Sequence, residues 1–282
     1  MSSLLGRPRG IACGACLGQW GTRVPEMVAW CAADPVSRPE PWRPPFVPGF
    51  IESQFGPLVR QAVEQSLAGN DPELLRATGI VLGSMVGDST TADVASRNLV
   101  QGRVRNPLLF YQSIPNSILG YVSRHLGLTG PLACVTGTAA LHADLIEMAD
   151  LWLERPEVRQ VVVVDVELAA NPRSRVAAAG LAAQPAADAP PVHDVAVALV
   201  VTAEPDGVPV VLADLRRVPR GAAPAAGEEI PAPVPVETWG GLRGLLDVCL
   251  AIDRLAGTPP PAAAMVVSPA SDEEDVVLRL TV

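Results

Sequence analysis

The segment Val158 to Val166, VRQVVVVDV, constrains the fold more than any other part of the chain. Six of its nine residues are valine, so neither face of a strand built from it is left for water. Such a strand belongs inside an α/β protein, parallel to a neighbour and covered on both sides. The residues before it agree. Pro131 to Thr136 reads as a strand, and Ala139 to Glu154 as a long helix with Leu141, Leu145, Met148, Ala149 and Trp152 on one face. Strand, helix and strand make a βαβ unit whose crossover should be right-handed.

The remaining chain extends this pattern. Gly10 to Trp20 is a glycine-bounded apolar strand, and Asp34 to Pro48 is a proline-rich irregular stretch. Ile51 to Leu67 is a helix with Phe55, Leu58, Val59, Ala62, Val63 and Leu67 at helical spacing; Thr78 to Met85 is a buried strand, and Asp88 to Val100 a helix. Alanine-rich Asn171 to Pro191 reads as a loop. Val192 to Ala203 and Val208 to Val218 read as a hairpin turning at Pro205-Asp206-Gly207. Arg220 to Pro235 is low-complexity, Thr238 to Ala256 an amphipathic helix, and Ala262 to Val267 and Val276 to Val282 closing strands. The expected fold is α/β with a mixed sheet.

A length of 282 residues allows one large domain or two small ones. The formal charge of −9 argues against nucleic acid or an anionic membrane as partner. All 21 basic residues are arginine, which removes lysine chemistry. The longest apolar runs fall far short of the roughly 20 residues that span a bilayer. The N-terminus lacks a secretory apolar region, so a cytoplasmic location is expected. Five cysteines suggest reduced thiols, and Cys13 and Cys16 form a CxxC with no second ligand pair at zinc spacing. That pair reads as core filling. No metal site is expected.

From Asn106 to Gly137 the sequence runs NPLLFYQSIPNSILGYVSRHLGLTGPLACVTG. It resembles the segment of β-ketoacyl synthases, PxFFxPxxxxNxxAGHxxxxxGLxGP, that leads through a strand into the TACSS nucleophile. The match runs without insertion from Pro107 through Phe110, Tyr111, Asn116, Gly120 and Gly127 to Pro131. GIVLGSMVGDS resembles the family's glycine-rich turn, and DVAVALVV its DGxVxGEGAxxLVL strand. The resemblance implies a thiolase-like (ketosynthase) fold, with residues 1–218 as the N-terminal half and 219–282 as an abbreviated C-terminal half. In the same frame the nucleophile falls at Ala139. The helix VPVETWGGLRGLLDVCLAI resembles the family's GHxxxAAG helix, which places Pro235 at the histidine and Ile230 at the lysine. A thiolate and two imidazoles are what decarboxylative condensation needs. All are missing, so no condensing activity is expected from this chain alone, and no cofactor.

Non-catalytic relatives of that kind are the chain length factors of type II polyketide synthases, and the shortened C-terminal half resembles members that work with polyene or aryl-polyene ketosynthases. The resemblance implies a heterodimer with a ketosynthase, and through it contact with an acyl carrier protein. It implies an interface from Leu108, Leu109, Phe110, Tyr111, Ile114, Asn116, Cys134, Val135 and Thr136, and an acyl tunnel lined by Met85, Val86, Leu109 and Phe110. Without that frame the apolar members are ordinary core residues. Two other functions stand beside this one. The chain could be a stand-alone thiolase-fold acyltransferase or decarboxylase using Cys134 or Thr138, or a homodimeric scaffold for acyl carrier proteins. His142 has the pKa range of a base but no accompanying nucleophile.

Overall fold

The computed structural model describes residues 3–103, 106, 108–137, 140–181, 191–205, 207–222, 228–229, 242–269 and 273–282. The valine run becomes β4 (Gln160–Glu167), buried along its whole length. On one side it pairs in parallel with β2 (Thr78–Gly83), and β2 in turn pairs in parallel with β3 (Leu132–Val135). On the other side β4 pairs antiparallel with β5 (Val195–Thr202), and β5 with β1 (Arg9–Leu17). The mixed sheet is as the sequence requires, and the βαβ unit is real: β3, then α7 (Leu141–Leu153), then β4, with β2 between the two strands.

The expected hairpin is not formed. β6 (Val210–Pro219) does not pair with β5, because β1 lies between them and bonds to both. Its contact with β6 spans only three residue pairs, Arg9 to Ile11 against Leu212 to Val210. Beyond that seam β6 pairs with β9 (Glu274–Thr281), β9 with β8 (Ala263–Pro269), and β8 with the two-residue β7 (Glu228–Glu229), giving the order β3-β2-β4-β5-β1-β6-β9-β8-β7. The last helix, α9 (Arg243–Ala256), packs on β1 and β5 and equally on β8, β6 and β9. Alternate residues of both strand sets therefore point at one core containing α7 and α9, into which α1 (Val24–Ala32) sends Val24, Met27 and Trp30. A second core, on the other face of β4 and β5, is closed by α2 (Phe55–Ser66) and α6 (Pro115–Leu126).

Two further points depart from the sequence reading. Pro172–Leu181, expected within a loop, is a helix, α8. Asn171 caps it, accepting the Ser174 N–H at 2.8 Å while its own N–H donates to Ser174 Oγ at 2.9 Å; Pro172 follows at the first position and alanines fill the body. Arg9 is wholly buried in β1. Its Nε donates to Asp150 of α7 at 2.6 Å, its Nη1 to the Ala203 carbonyl at 3.2 Å, and Glu154 completes the ion pair. That network fastens the start of β1 to the C-terminal end of α7.

Candidate functional site

Three pieces named by the sequence come to the β3 side of the sheet. The first is the turn after β2. Gly83 lies beneath α7, where an added Cβ would sit 2.6 Å from a Leu145 methyl, so only glycine lets the strand run so close. Glu167, buried at the end of β4, accepts the Met85 N–H, and Ser84 Oγ accepts the Gly87 N–H at 2.8 Å. Asp88 then caps α4 (Ser89–Val100), accepting from Thr91 N at 3.0 Å and Ser53 Oγ at 2.8 Å; burial nevertheless holds its carboxyl above the usual range. Met85 is buried on this turn and Val86 half-buried.

The second piece is the aromatic run, which folds as α5 (Leu108–Gln112). Leu109 is 4% exposed, but Leu108, Phe110 and Tyr111 are 62%, 73% and 58% exposed, and Ile114 beyond them is 40% exposed. Asn116 is also exposed. Between α4 and α5 lies a cavity of about 390 Å³ whose wall includes Ala95, Leu99, Leu109, Phe110 and Arg173. Met85 and Val86 do not line it.

The third piece is β3, which among the described residues is the outer strand of the sheet and pairs only with β2. Leu132 is 39% exposed, Ala133 to Val135 are half-buried, and Thr136 is exposed. Burial pushes the Cys134 thiol up to about 11. At that pKa almost none of it is the nucleophilic thiolate at neutral pH.

Ala139, Ile230 and Pro235, the positions where the resemblance puts the catalytic groups, lie together with Thr138 outside the described residues. The first described residue after Ala139 is Ala140, at the N-cap of α7; it has φ of 53°, a left-handed conformation that costs a non-glycine residue energy. His142, one turn on, is not solvent-facing. It is 2% exposed, its ring lies flat on Gly244 of α9, and Nε2 has no partner. Burial, with Arg217 nearby, lowers its pKa to about 4, so it is a neutral imidazole at physiological pH. Asp165 and Asp247, which sequence reasoning passed over, are further buried carboxyls; both oxygens of Asp165 and Oδ1 of Asp247 are unpartnered. Burial raises both, Asp247 to about 6. An aspartate interrupting a run of valines covered on both faces was a signal available in the sequence. Among the described residues no group of His, Cys, Asp or Glu is arranged to hold a metal ion, and no helix is long and apolar enough to cross a membrane.

No family model matches the sequence, and a comparison with curated proteins found no match. Solved structures do resemble it. The ishigamide ketosynthase/chain length factor superposes with a TM-score of 0.69 at 15% identity, covering 98% of this chain and 99% of that one. A ketosynthase in complex with its chain length factor from Xenorhabdus doucetiae gives 0.60 at 18% identity over 97% and 99%. A type II acyl-carrier protein in complex with its ketosynthase bound to the hexaketide gives 0.67 at 11% identity over 98% and 99%. The fold is thus the mixed α/β architecture of the thiolase-like ketosynthases.

Proposed function

We propose that the chain is a non-catalytic, chain-length-factor-like subunit that pairs with a ketosynthase and shapes the acyl-chain tunnel in polyketide, specifically polyene, biosynthesis. The observation that carries this reading is the edge of β3, which among the described residues pairs only with β2, together with the exposed apolar side chains Leu108, Phe110, Tyr111, Ile114 and Leu132. An outer strand edge and exposed apolar side chains invite a partner strand and a partner surface. The fold shared with ketosynthase and chain length factor structures supports it. In this reading Leu109 and Phe110, with Met85 and Val86, form tunnel wall. Ala139, Ile230 and Pro235 supply no catalytic group, and an acyl carrier protein in the cytoplasm is reached through the complex. The alternative of a free-standing acyltransferase using Cys134 is disfavoured by that thiol's raised pKa.

The test is co-expression with the ketosynthase encoded beside it, followed by size-exclusion chromatography. The two chains should elute together, and an obligate interface should bury on the order of 2,000 Å² or more. Phe110→Asp places a charge on a side chain that the isolated fold leaves exposed, so it should abolish co-elution without unfolding the chain. Normal complex formation by Phe110→Asp and by Leu132→Asp would put the interface elsewhere.

A further inference from the structure

In a regular strand, side chains three positions apart face opposite sides of the sheet, so Cys13 and Cys16 of β1 should be separated by it. They are not. The pairing of β1 with β5 shifts register between Cys13 and Ala15, which makes Gly14 the additional residue of a β-bulge. The bulge resets the phase. Ile11, Cys13 and Cys16 all belong to the inner core, whereas Ala15 and Leu17 face the other one. Cys31 of α1 and Cys249 of α9 reach the same inner core, while Cys134 lies across the sheet.

Within this group Cys13 and Cys249 form a distinct pair. Cys13 stands opposite Leu199 of β5, and the Cys249 thiol donates to the carbonyl of the adjacent Ala198 at 3.9 Å. Both thiols thus meet the same stretch of β5 from the inner-core side, and after burial Cys13 is among the neighbours that raise the Cys249 pKa. Their surroundings differ: Cys13 is half-buried, Cys249 fully buried. The thiols are not arranged to hold a metal ion. The chemistry open to two facing thiols, one of them reachable from solvent, is oxidation.

We propose that Cys13 and Cys249 are an oxidant-responsive dithiol, closing into a disulfide that joins β1 to α9 when a hydroperoxide reaches Cys13. In the first step the Cys13 sulfur attacks the peroxide, the O–O bond breaks, and sulfenic acid and one water (or alcohol) form. In the second the Cys249 sulfur attacks the sulfenic sulfur. The S–S bond forms, and the sulfenic oxygen leaves as water with the Cys249 proton. The two thiols together lose two electrons and two protons, and the peroxide takes them up. Exposure orders the steps, because a peroxide can reach the half-buried Cys13 but not the fully buried Cys249. The product ties α9 to β1, the strand that links the β5 and β6 sides of the sheet.

The experiment treats the folded, reduced protein with equimolar hydrogen peroxide, blocks remaining thiols with iodoacetamide, and digests it without reduction for mass spectrometry. A Cys13–Cys249 linked peptide is expected, with Cys134 alkylated. The oxidised protein should melt higher by about 5 °C or more, since the crosslink closes a loop of most of the chain. Cys249→Ser should instead trap a sulfenic acid at Cys13 that dimedone captures, and Cys13→Ser should leave Cys249 reduced. A disulfide from Cys13 to Cys16 or Cys31, a link seen only after denaturation, or no dimedone adduct in Cys249→Ser would each overturn the proposal.

Discussion

Gly244 of α9 packs directly against His142 of α7, and the contact predicts its own mutational signature. A Cβ on Gly244 would lie 2.1 Å from His142 Nδ1, 2.3 Å from Cγ and 2.5 Å from Cε1, whereas ordinary contacts begin near 3.4 Å. Gly244→Ala therefore forces the ring back by more than an ångström. The ring has little room, since Leu141 and Ala143 on either side of it are wholly buried. Overpacking of this kind costs about 1–3 kcal/mol. Replacing a helical glycine by alanine returns up to about 1 kcal/mol, so a net loss of about 1–2 kcal/mol is expected in the wild-type background. In a His142→Ala background the obstacle is gone and the same substitution should stabilise by up to about 1 kcal/mol. The two sites should thus couple by about 2–3 kcal/mol. Urea unfolding of the four proteins, followed by tryptophan fluorescence, measures this directly. If Gly244→Ala has the same effect in both backgrounds, within about 0.5 kcal/mol, the imidazole does not occupy that space and the reasoning fails.

Three other outcomes follow from the structure. On the proposed function, with a ketosynthase partner Leu109→Ala should lengthen the carrier-bound intermediates by added two-carbon units and Leu109→Trp should shorten them; mass spectra unchanged in both would take Leu109 out of the proposed tunnel wall. Asp150→Ala removes the buried carboxylate from Arg9 and leaves Glu154 as its counter-ion, so it should cost about 1.5–3 kcal/mol in chemical unfolding; a loss under about 0.5 kcal/mol would show that the Asp150 bond contributes nothing to holding Arg9. Asp247 has a folded pKa near 6, raised from 3.8, so it contributes stability at low pH that is lost as pH rises through that window, up to about 3 kcal/mol. His142, lowered to about 4 from 6.5, acts oppositely: its contribution is present above the unfolded pKa and lost as pH falls toward 4. The two offset each other in the wild type. Asp247→Asn should therefore gain stability relative to wild type at neutral pH and lose it steeply on acidification. A parallel pH profile for both proteins would contradict the assignment.

What the sequence made legible is what local pattern controls. The valine run gave β4 and its parallel neighbour, and the spacing of Leu141, Leu145 and Ala149 gave α7. The turn signals at Pro205-Asp206-Gly207 were equally strong, yet no hairpin forms, because β1 takes the edge of β5 from far upstream and no local window contains it. α8 was hidden by alanine and proline composition, although its cap at Asn171 was readable in retrospect. At the candidate site, the reading of Pro131 to Thr136 as a strand is met by β3. The sequence could not say that His142 would be sealed against Gly244, nor that a bulge at Gly14 would place Cys13 and Cys16 on one face. Those depend on which elements meet, and periodicity is silent about that.

The position of β1 also sets a timetable for synthesis. Gly10 finds its pairing partners at Thr202 and Val211, about 190 to 200 residues later in the chain. At roughly 5–20 residues per second the ribosome needs about 10–40 s to deliver them. Throughout that interval an apolar strand with two open edges and a pair of thiols waits outside the exit tunnel. The β2, β3 and β4 region can assemble meanwhile, but the inner core cannot close until the last third of the chain is made. Slower translation lengthens the vulnerable period, and a chaperone that holds the first twenty residues shortens its consequences. Yield on expression should accordingly respond more to what covers β1 during those seconds than to the stability of the finished fold.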